Sequence, residues 1–191
     1  MKAVLLSIRP NWCKLIWSGM KTVEVRKTRP TLETPFKAYI YCTGHDGWVM
    51  KLPKAGVQKM DSRVIGEFTC DKIDRLAHVE AMGSNEPPKL QIVTPDLWYK
   101  PADKLIQAAC LTEAQAKKYL KGGDGYGWHI SDLKIYDKPV KLKNFWAIQP
   151  CTHRGDCCTC RRWGAKKLIC RGEVFGIERP PQSWYYVEDG R

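Results

Sequence analysis

The 191-residue sequence has no long apolar run, no internal repeat and no low-complexity segment. Its longest uncharged apolar stretches, such as residues 3–6, fall far short of the roughly 20 residues that a membrane-spanning helix needs. The first residues also lack the apolar core and the small-residue cleavage site of a secretory signal peptide. The sequence therefore predicts a cytoplasmic protein with no membrane partner.

Acidic residues are too few to balance the basic ones. There are 32 Lys and Arg against 20 Asp and Glu, so the formal net charge is +12. An excess of this size favours a polyanionic partner, most often nucleic acid. A surface that is charged only for solubility would give the same totals, so charge alone does not decide between the two.

Residue patterning predicts a chain of short strands and few helices. Strands are expected where β-branched and aromatic residues cluster or alternate with polar ones, at residues 2–8, 22–26, 36–43, 63–70 and 128–136, with an edge element at 139–145. Several short strands with two or three helices indicate an α+β domain built around a β-barrel or a strongly curled sheet.

The helix signals are fewer and more local. A helix is predicted over residues 12–18, with Asn11 as its N-cap and Gly19 at its end. Residues 97–120 suit one or two helices, with Thr112 at the start of the second. The glycine-rich run that follows, residues 122–127, predicts a loop.

Cysteine usage places a boundary near Pro150, between a domain at residues 1–149 and a basic, Cys-rich segment at residues 150–191. Five of the nine cysteines fall in the second part. A C-x-x-C pair can present two thiolates to one Zn²⁺, and two further cysteines would complete a tetrahedral structural site; the candidate ligands are Cys151, Cys157, Cys160 and Cys170. His153 and Cys158 are possible substitutes, and free thiols or a disulfide remain the alternatives. The aromatic end of the chain is expected to pack back onto the first domain.

One cluster of charged residues follows the first predicted helix. Lys21 lies at the turn that enters the second predicted strand, where period-two alternation puts Thr22, Glu24 and Arg26 on one face. Lys21 and Arg26 could bind phosphate or a base, and Glu24 could accept a hydrogen bond from an exocyclic amine. A solvated salt bridge of little energetic value is the alternative interpretation.

The motifs Ser7-Ile8-x-Pro10 and Gly19-x-Lys21-Thr22-x-Glu24-x-Arg26 resemble the signature of the ASCH family, the activating-signal-cointegrator homology domains of the PUA-like superfamily. Residues 64–68, 127–136 and 179–184 resemble later strands and the end of bacterial and phage members with a Cys-rich insert. The resemblance implies a PUA-like β-barrel of about six strands with flanking helices. It also implies a cleft that handles RNA or a nucleobase.

The resemblance leaves binding and catalysis both open. One branch of the family hydrolyses N4-acetylcytidine with a Lys, a Thr and a Glu, and Lys21 corresponds to that Lys. The position of that Thr is occupied here by Glu24, while other members are reported as ribonucleases. An amidohydrolase or ribonuclease would draw its catalytic residues from Lys21, Thr22 and Glu24.

The leading hypothesis is an RNA- or nucleotide-binding module, with an enzyme on RNA or modified nucleosides and a protein-interaction adaptor as alternatives. Two aromatic residues in loops, Trp48 and Tyr126, are predicted to be exposed platforms on which bases stack. The full set of predicted nucleic-acid-binding residues is Arg9, Lys21, Glu24, Arg26, Trp48 and Tyr126. For His45 and His129, ordinary structural roles are expected.

Overall fold

The computed structural model describes residues 2–44, 47–80, 87–149 and 173–189. The predicted zinc ligands, Cys151, Cys157, Cys160 and Cys170, lie outside these ranges, as does His45. The boundary near Pro150 and the zinc site therefore stay predictions.

The described residues are mostly β-structure with few helices. In chain order the elements are β1 (Lys2–Ile8), α1 (Pro10–Trp17), β2 (Val23–Arg26), β3 (Phe36–Cys42), β4 (Val49–Leu52), β5 (Gly56–Lys59), β6 (Arg63–Cys70), β7 (Ile73–Val79), β8 (Lys89–Val93), β9 (Tyr99–Pro101), α2 (Asp103–Ala108), α3 (Glu113–Leu120), β10 (Gly125–His129), β11 (Ser131–Lys141), a 3-10 helix (Leu142–Asn144), β12 (Trp146–Gln149), β13 (Glu173–Gly176) and β14 (Trp184–Glu188).

The larger sheet has seven strands in the order β11-β6-β3-β1-β14-β12-β13. Its central strand β1 runs parallel to β3 and antiparallel to β14. Val4 and Leu6 of β1 enter one apolar core, and Ala3 and Leu5 enter another on the opposite face. A strand covered on both faces needs apolar side chains at every position, which explains why β1 is an apolar run without alternation.

The seven-stranded sheet is not closed on itself along its hydrogen-bonded ladder. The 3-10 helix links β11 at one edge to β12, which lies next to the strand at the other edge. Its Leu142 is buried in the second core together with Phe145, whose ring lies 5.0 Å from that of Tyr39. Among the described residues no ladder joins β11 to β13, so the predicted closed barrel stays a prediction.

The smaller sheet, β2-β10-β7-β8-β9, is antiparallel throughout. A third core, to which α2 and α3 contribute Leu105 and Leu120, contains Val23 and Val25 of β2. The opposite face of the sheet contributes Trp128 to the first core, which also contains residues of α1. The sheet therefore separates two cores, and its edge strand β2 lies beside both.

Of three local predictions about helices, the structure revises two and confirms one. The first helix begins at Pro10 with Arg9 as its N-cap, and no side chain caps it, so Asn11 is not the cap. Proline suits the first helical position because its missing N–H has no partner there and its φ is already helical. The second predicted start is confirmed, since Thr112 and Gln115 form a capping box. Residues 99–101, predicted as helix, form β9.

The glycine-rich run 122–127 is a loop only in its first half, because β10 begins at Gly125. A Cβ at Gly125 would lie 2.7 Å from a methyl carbon of Leu120, and one at Gly127 would lie 2.8 Å from Leu105. Glycine suits both positions because leucine side chains of the helices pack directly on the strand backbone. The single strand predicted at 128–136 is in fact the end of β10 and the start of β11, which belong to different sheets.

An ion pair joins the end of the chain to β3 and makes stability depend on pH. The Asp189 carboxylate accepts hydrogen bonds of 2.9 Å from Lys37 and from the Tyr39 hydroxyl. Burial alone would raise the pKa of Asp189, but these two donors outweigh it and hold the pKa below its ordinary value. The contact therefore stabilises the fold above the ordinary Asp pKa of about 3.9, and this contribution is lost as pH falls through the lowered folded-state value.

We expect Asp189→Asn to lower the free energy of unfolding by about 1 kcal/mol at pH 7, because both hydrogen bonds to a charged acceptor are lost. The difference from the wild type should shrink below the ordinary Asp pKa and vanish in stronger acid. Urea unfolding at a series of pH values measures it. A difference that stays constant down to acid pH would show that the charge of Asp189 does not contribute.

Candidate nucleic-acid-binding site

The turn between α1 and β2 places Lys21 at the entrance to the smaller sheet. Gly19 has φ +74°, a left-handed conformation that ends α1 at low cost because glycine has no Cβ. The Lys21 N–H then donates to the Leu15 carbonyl at 3.0 Å. Lys21 is therefore held against the end of α1, one residue before Thr22 and two before β2.

Glu24 is shared by two cations. Its Oε2 lies 3.2 Å from Lys21 Nζ and its Oε1 lies 3.0 Å from Arg26 Nη2. All three residues are buried, with exposed fractions of 3% for Lys21, 7% for Glu24 and 5% for Arg26. The predicted grouping is present, but it is a buried network and not the solvated salt bridge that was the alternative.

Backbone carbonyls from distant segments complete the network. Lys21 Nζ donates to the carbonyl of Ala109, just after α2, at 2.7 Å. Arg26 donates from Nη2 to Ser7 O at 2.6 Å and from Nη1 to Ser183 O at 3.4 Å. The network therefore joins the ends of β1, α2 and the segment before β14 to the edge strand β2.

The network carries one more positive charge than negative charge. Lys21 and Arg26 contribute two cations and Glu24 one carboxylate, and the other hydrogen-bond partners of the two cations among the described residues are neutral carbonyls. Charges removed from water need compensation by opposite charge or by hydrogen bonds. Three buried charges with a balance of +1 are thus complementary to one anionic or strongly accepting group.

Three buried polar atoms near this network have no hydrogen-bond partner among the described residues: Ser7 Oγ, Arg26 Nε and Trp128 Nε1. Each can donate a hydrogen bond, and the ring and guanidinium nitrogens can only donate. Trp128 lies directly opposite Glu24 on the neighbouring strand. Buried polar atoms are nearly always paired in folded proteins, so a group of unpaired donors indicates a place for an acceptor.

Aromatic rings surround the charged network. Lys21 Nζ lies 5.0 Å from the centre of the Trp12 ring, a distance typical of a cation–π contact. The rings of Trp128 and Trp184 are 6.2 Å apart. Burial raises the pKa of the Tyr119 hydroxyl, while the nearby charge of Arg26 opposes the shift, so this hydroxyl is within electrostatic reach of the network. The surroundings combine flat apolar surfaces with positive charge.

In the described part of the chain, the other predicted site residues make no side-chain hydrogen bond or ion pair with the network. Arg9 is exposed at the start of α1, and the Thr22 side chain is exposed while its backbone bonds Ala108 and Ile130. Trp48 and Tyr126, predicted to be exposed, are half-buried and pack against the first core.

These two aromatic residues nevertheless each carry a nearby cation. Lys14 Nζ lies 5.6 Å from the Trp48 ring and the Arg29 guanidinium carbon 6.0 Å from the Tyr126 ring. Tyr126 is also the cross-strand neighbour of Arg26. Tyr126 therefore adjoins the network through the sheet, whereas Trp48 belongs to the region beside α1.

The described residues contain no group of three or more His, Cys, Asp and Glu side chains that could hold a metal ion. His129 Nε2 is paired with Asp74 at 2.7 Å, in keeping with the structural role expected for it. Within the same ranges, no helix combines the length and apolar character needed to cross a membrane.

Sequence reasoning missed the residues that finish the site. Ser7 lies in the Ser7-Ile8-x-Pro10 motif without an assigned role, and Trp12, Tyr119 and Trp128 lie within predicted helices or a predicted strand without a role in the site. A tryptophan on a strand beside charged residues is a usable signal, since its N–H needs a partner when buried. The carbonyls of Ala109 and Ser183 carry no signal in the sequence, because every residue has a carbonyl.

Comparison with known proteins identifies the fold. No family model and no curated protein matches the chain. The crystal structure of a mutant of the ASCH protein from Zymomonas mobilis aligns over 98% of this chain and 89% of that chain, at 17% identity and a TM-score of 0.52. The crystal structure of ASCH from the same organism aligns over 73% of each chain, at 20% identity and a TM-score of 0.47. The chain therefore has the fold of the ASCH family, as the motif from Gly19 to Arg26 predicted.

Proposed function

We propose that this protein binds RNA or a nucleotide, with Lys21, Glu24 and Arg26 at the centre of the site. The observation that carries the proposal is the buried network with two cations and one carboxylate. A phosphate oxygen or a base carbonyl would supply the acceptor that this network lacks. Glu24 would in turn accept a hydrogen bond from an exocyclic amine.

A contribution to stability does not by itself explain such a network. A buried ion pair often contributes no more to stability than well-packed apolar residues of similar volume would. A second buried cation lowers the contribution to stability further, because there is no second carboxylate to pair with it. The arrangement is therefore better explained by a ligand that compensates the charge when it binds.

The burial of the network limits what can reach it. Lys21, Glu24 and Arg26 each keep only a few per cent of their surface exposed, so a bulky folded element cannot contact them directly. A base edge or a single phosphate oxygen would need a much smaller opening. This favours a nucleotide or single-stranded RNA over a protein adaptor function.

An enzyme that acts on RNA or modified nucleosides is the alternative, with Lys21, Thr22 and Glu24 as the candidate catalytic residues. The contacts favour binding over this alternative. Lys21 is engaged by Glu24 and by the Ala109 carbonyl, so it is positioned as a charged donor. The Thr22 side chain is exposed and makes no hydrogen bond to Lys21 or Glu24. A nucleophilic role would require these contacts to rearrange.

Lys21→Met tests the proposal, because it removes the extra charge and leaves the Glu24–Arg26 pair intact. We expect RNA affinity at low salt to fall about tenfold or more, as expected for a lost charge-assisted contact, with the thermal midpoint changed by only a few degrees. Binding by the wild type should also weaken steeply as salt is added. Fluorescence anisotropy with labelled single-stranded RNA measures both.

Lys118→Met is the matched control, since Lys118 is exposed on α3 and the substitution changes net charge equally. Equal losses in the two variants would mean that charge alone matters and would contradict a site at Lys21. Mass spectrometry of RNA and N4-acetylcytidine incubated with both proteins separates binding from catalysis. Product formed by the wild type and lost in Lys21→Met would favour the enzyme.

A further inference from the structure

One row of side chains crosses the smaller sheet from the charged network to the opposite edge. Arg26 lies directly opposite Tyr126, Tyr126 opposite Arg75, Arg75 opposite Val93 and Val93 opposite Tyr99. Residues directly opposite each other on antiparallel strands share a face of the sheet. The row therefore alternates guanidinium and aromatic groups, interrupted by one valine.

The outer half of this row is open to solvent. The side chain of Arg75 is 52% exposed and Tyr99 is 54% exposed. Trp98, beside Tyr99, is 74% exposed, and Leu97 is 75% exposed. A group of exposed large apolar side chains is unusual on a protein surface and indicates a binding site.

Arg75 is held in position and still has donors to offer. Its Nε and Nη2 both donate to Oδ2 of Asp124, at 2.9 and 2.6 Å. Its Nη1 makes no hydrogen bond to any described residue. Asp124 thus fixes the guanidinium beside the Tyr126 ring while one edge of the group stays available for a phosphate.

A cleft of about 410 Å³ lies beside the inner half of the row, lined by residues 29–34 and Ile73. Arg29 stands over the Tyr126 ring, and Ile73 lies on β7 two residues before Arg75, on the same face. The loop that contributes Arg29 is anchored to β14, because Trp184 Nε1 donates to Thr28 Oγ1 at 3.0 Å and the Tyr186 hydroxyl contacts the Thr31 hydroxyl at 2.9 Å.

We propose that single-stranded RNA extends from the charged network along this row, with one base in the cleft beside Arg29 and Tyr126, another stacked on Tyr99 and a phosphate bound by Arg75. The proposal rests on the function proposed above. It adds the path that the RNA follows, and the path does not depend on which end of the RNA lies at the charged network. Alternating aromatic rings and cations suit a chain whose bases and phosphates alternate. An apolar protein segment would cover the exposed aromatic residues but would leave the guanidinium groups without a matching charge.

The length of the row agrees with a short single strand. Five strands in the order β2-β10-β7-β8-β9 give four spacings of about 4.8 Å each, so the row is about 19 Å long. Bases stacked about 3.4 Å apart would place roughly five nucleotides along it. An oligonucleotide of about 2 nucleotides would occupy the charged network alone.

The test compares two labelled oligouridines, of about 2 and about 10 nucleotides, with the wild type and the double variant Arg75→Gln, Tyr99→Ala. We expect the double variant to bind the longer RNA about tenfold more weakly, as expected for the loss of one stacked base and one phosphate contact. Its affinity for the shorter RNA should equal that of the wild type. The salt dependence of binding the longer RNA should become shallower by about 0.7 in log–log slope.

The double variant Lys54→Gln, Tyr185→Ala is the matched control. Lys54 is an exposed cation paired with Asp137, as Arg75 is paired with Asp124, and Tyr185 is an exposed tyrosine on the other sheet. Unchanged affinity of the Arg75→Gln, Tyr99→Ala variant for the longer RNA would overturn the path. If Lys21→Met still lost both RNAs, the proposed function would stand. Absence of RNA binding by the wild type would overturn both.

Discussion

Glu24→Gln is expected to destabilise the fold by about 3–5 kcal/mol, the range found when one partner of a buried ion pair is removed. The substitution keeps the shape of the side chain but removes the carboxylate that Lys21 and Arg26 share at 3.2 and 3.0 Å. Two cations would then remain buried with only carbonyl partners. Because single domains are stable by roughly 5–15 kcal/mol, this is a large fraction of the total.

Urea unfolding followed by tryptophan fluorescence measures the effect. Glu178→Gln is the control, because Glu178 is exposed and its substitution should change stability by no more than about 0.5 kcal/mol. The double variant Glu24→Gln, Lys21→Met is a second test. Glu24→Gln leaves two buried cations without a carboxylate, so removing one of them should recover part of the lost stability. If Glu24→Gln is as stable as the wild type, the Glu24 carboxylate does not compensate the two cations.

Gly66→Ala is expected to cost about 3 kcal/mol, at the upper end of the range for an overpacked interior. Gly66 lies on β6 between β3 and β11, opposite Ile40 and Ile135. A Cβ at this position would lie 2.5 Å from the backbone oxygen of Lys134 and 3.2 Å from the Cα of Ile135. These are backbone atoms of a paired strand, so relief would require β11 to move away from β6.

Thermal and urea unfolding of this variant measure the cost, with Gly123→Ala as the control. A Cβ at Gly123 has its nearest neighbour, the Leu120 carbonyl oxygen, at an ordinary 3.5 Å. Loss of β11 pairing should also appear as faster amide hydrogen exchange in β6 and β11. Equal stability of the two alanine variants would mean that β11 does not lie against Gly66 as closely as the structure shows.

The first part of the fold could be predicted because its signals are local. The strand at residues 2–8, the turn at Gly19 and the strand that ends at Arg26 follow from residue patterns that extend over a few positions. The same is true of the helix that starts after Thr112, whose capping box lies within four residues. The ASCH motif lies in this stretch, which is why the family fold could be predicted.

Most of the smaller sheet could not be predicted in the same way. The strands β7, β8 and β9 carry polar or mixed residues, because nearly all their side chains are only partly buried or are exposed, and so their alternation is weak. Gly125 and Gly127 predict a loop by propensity, yet they are strand residues because two leucines pack on their backbone. Here tertiary packing overrides local preference.

In the site too, local sequence pattern determines some features and tertiary packing determines the others. Local pattern specifies that Lys21, Glu24 and Arg26 cluster, since a turn and a period-two strand bring them together within six residues. Packing specifies that they are buried and that the carbonyls of Ala109 and Ser183 complete their contacts. These bonds join residues 88 and 157 positions apart, and a carbonyl at such a distance leaves no mark in the sequence because every residue has one.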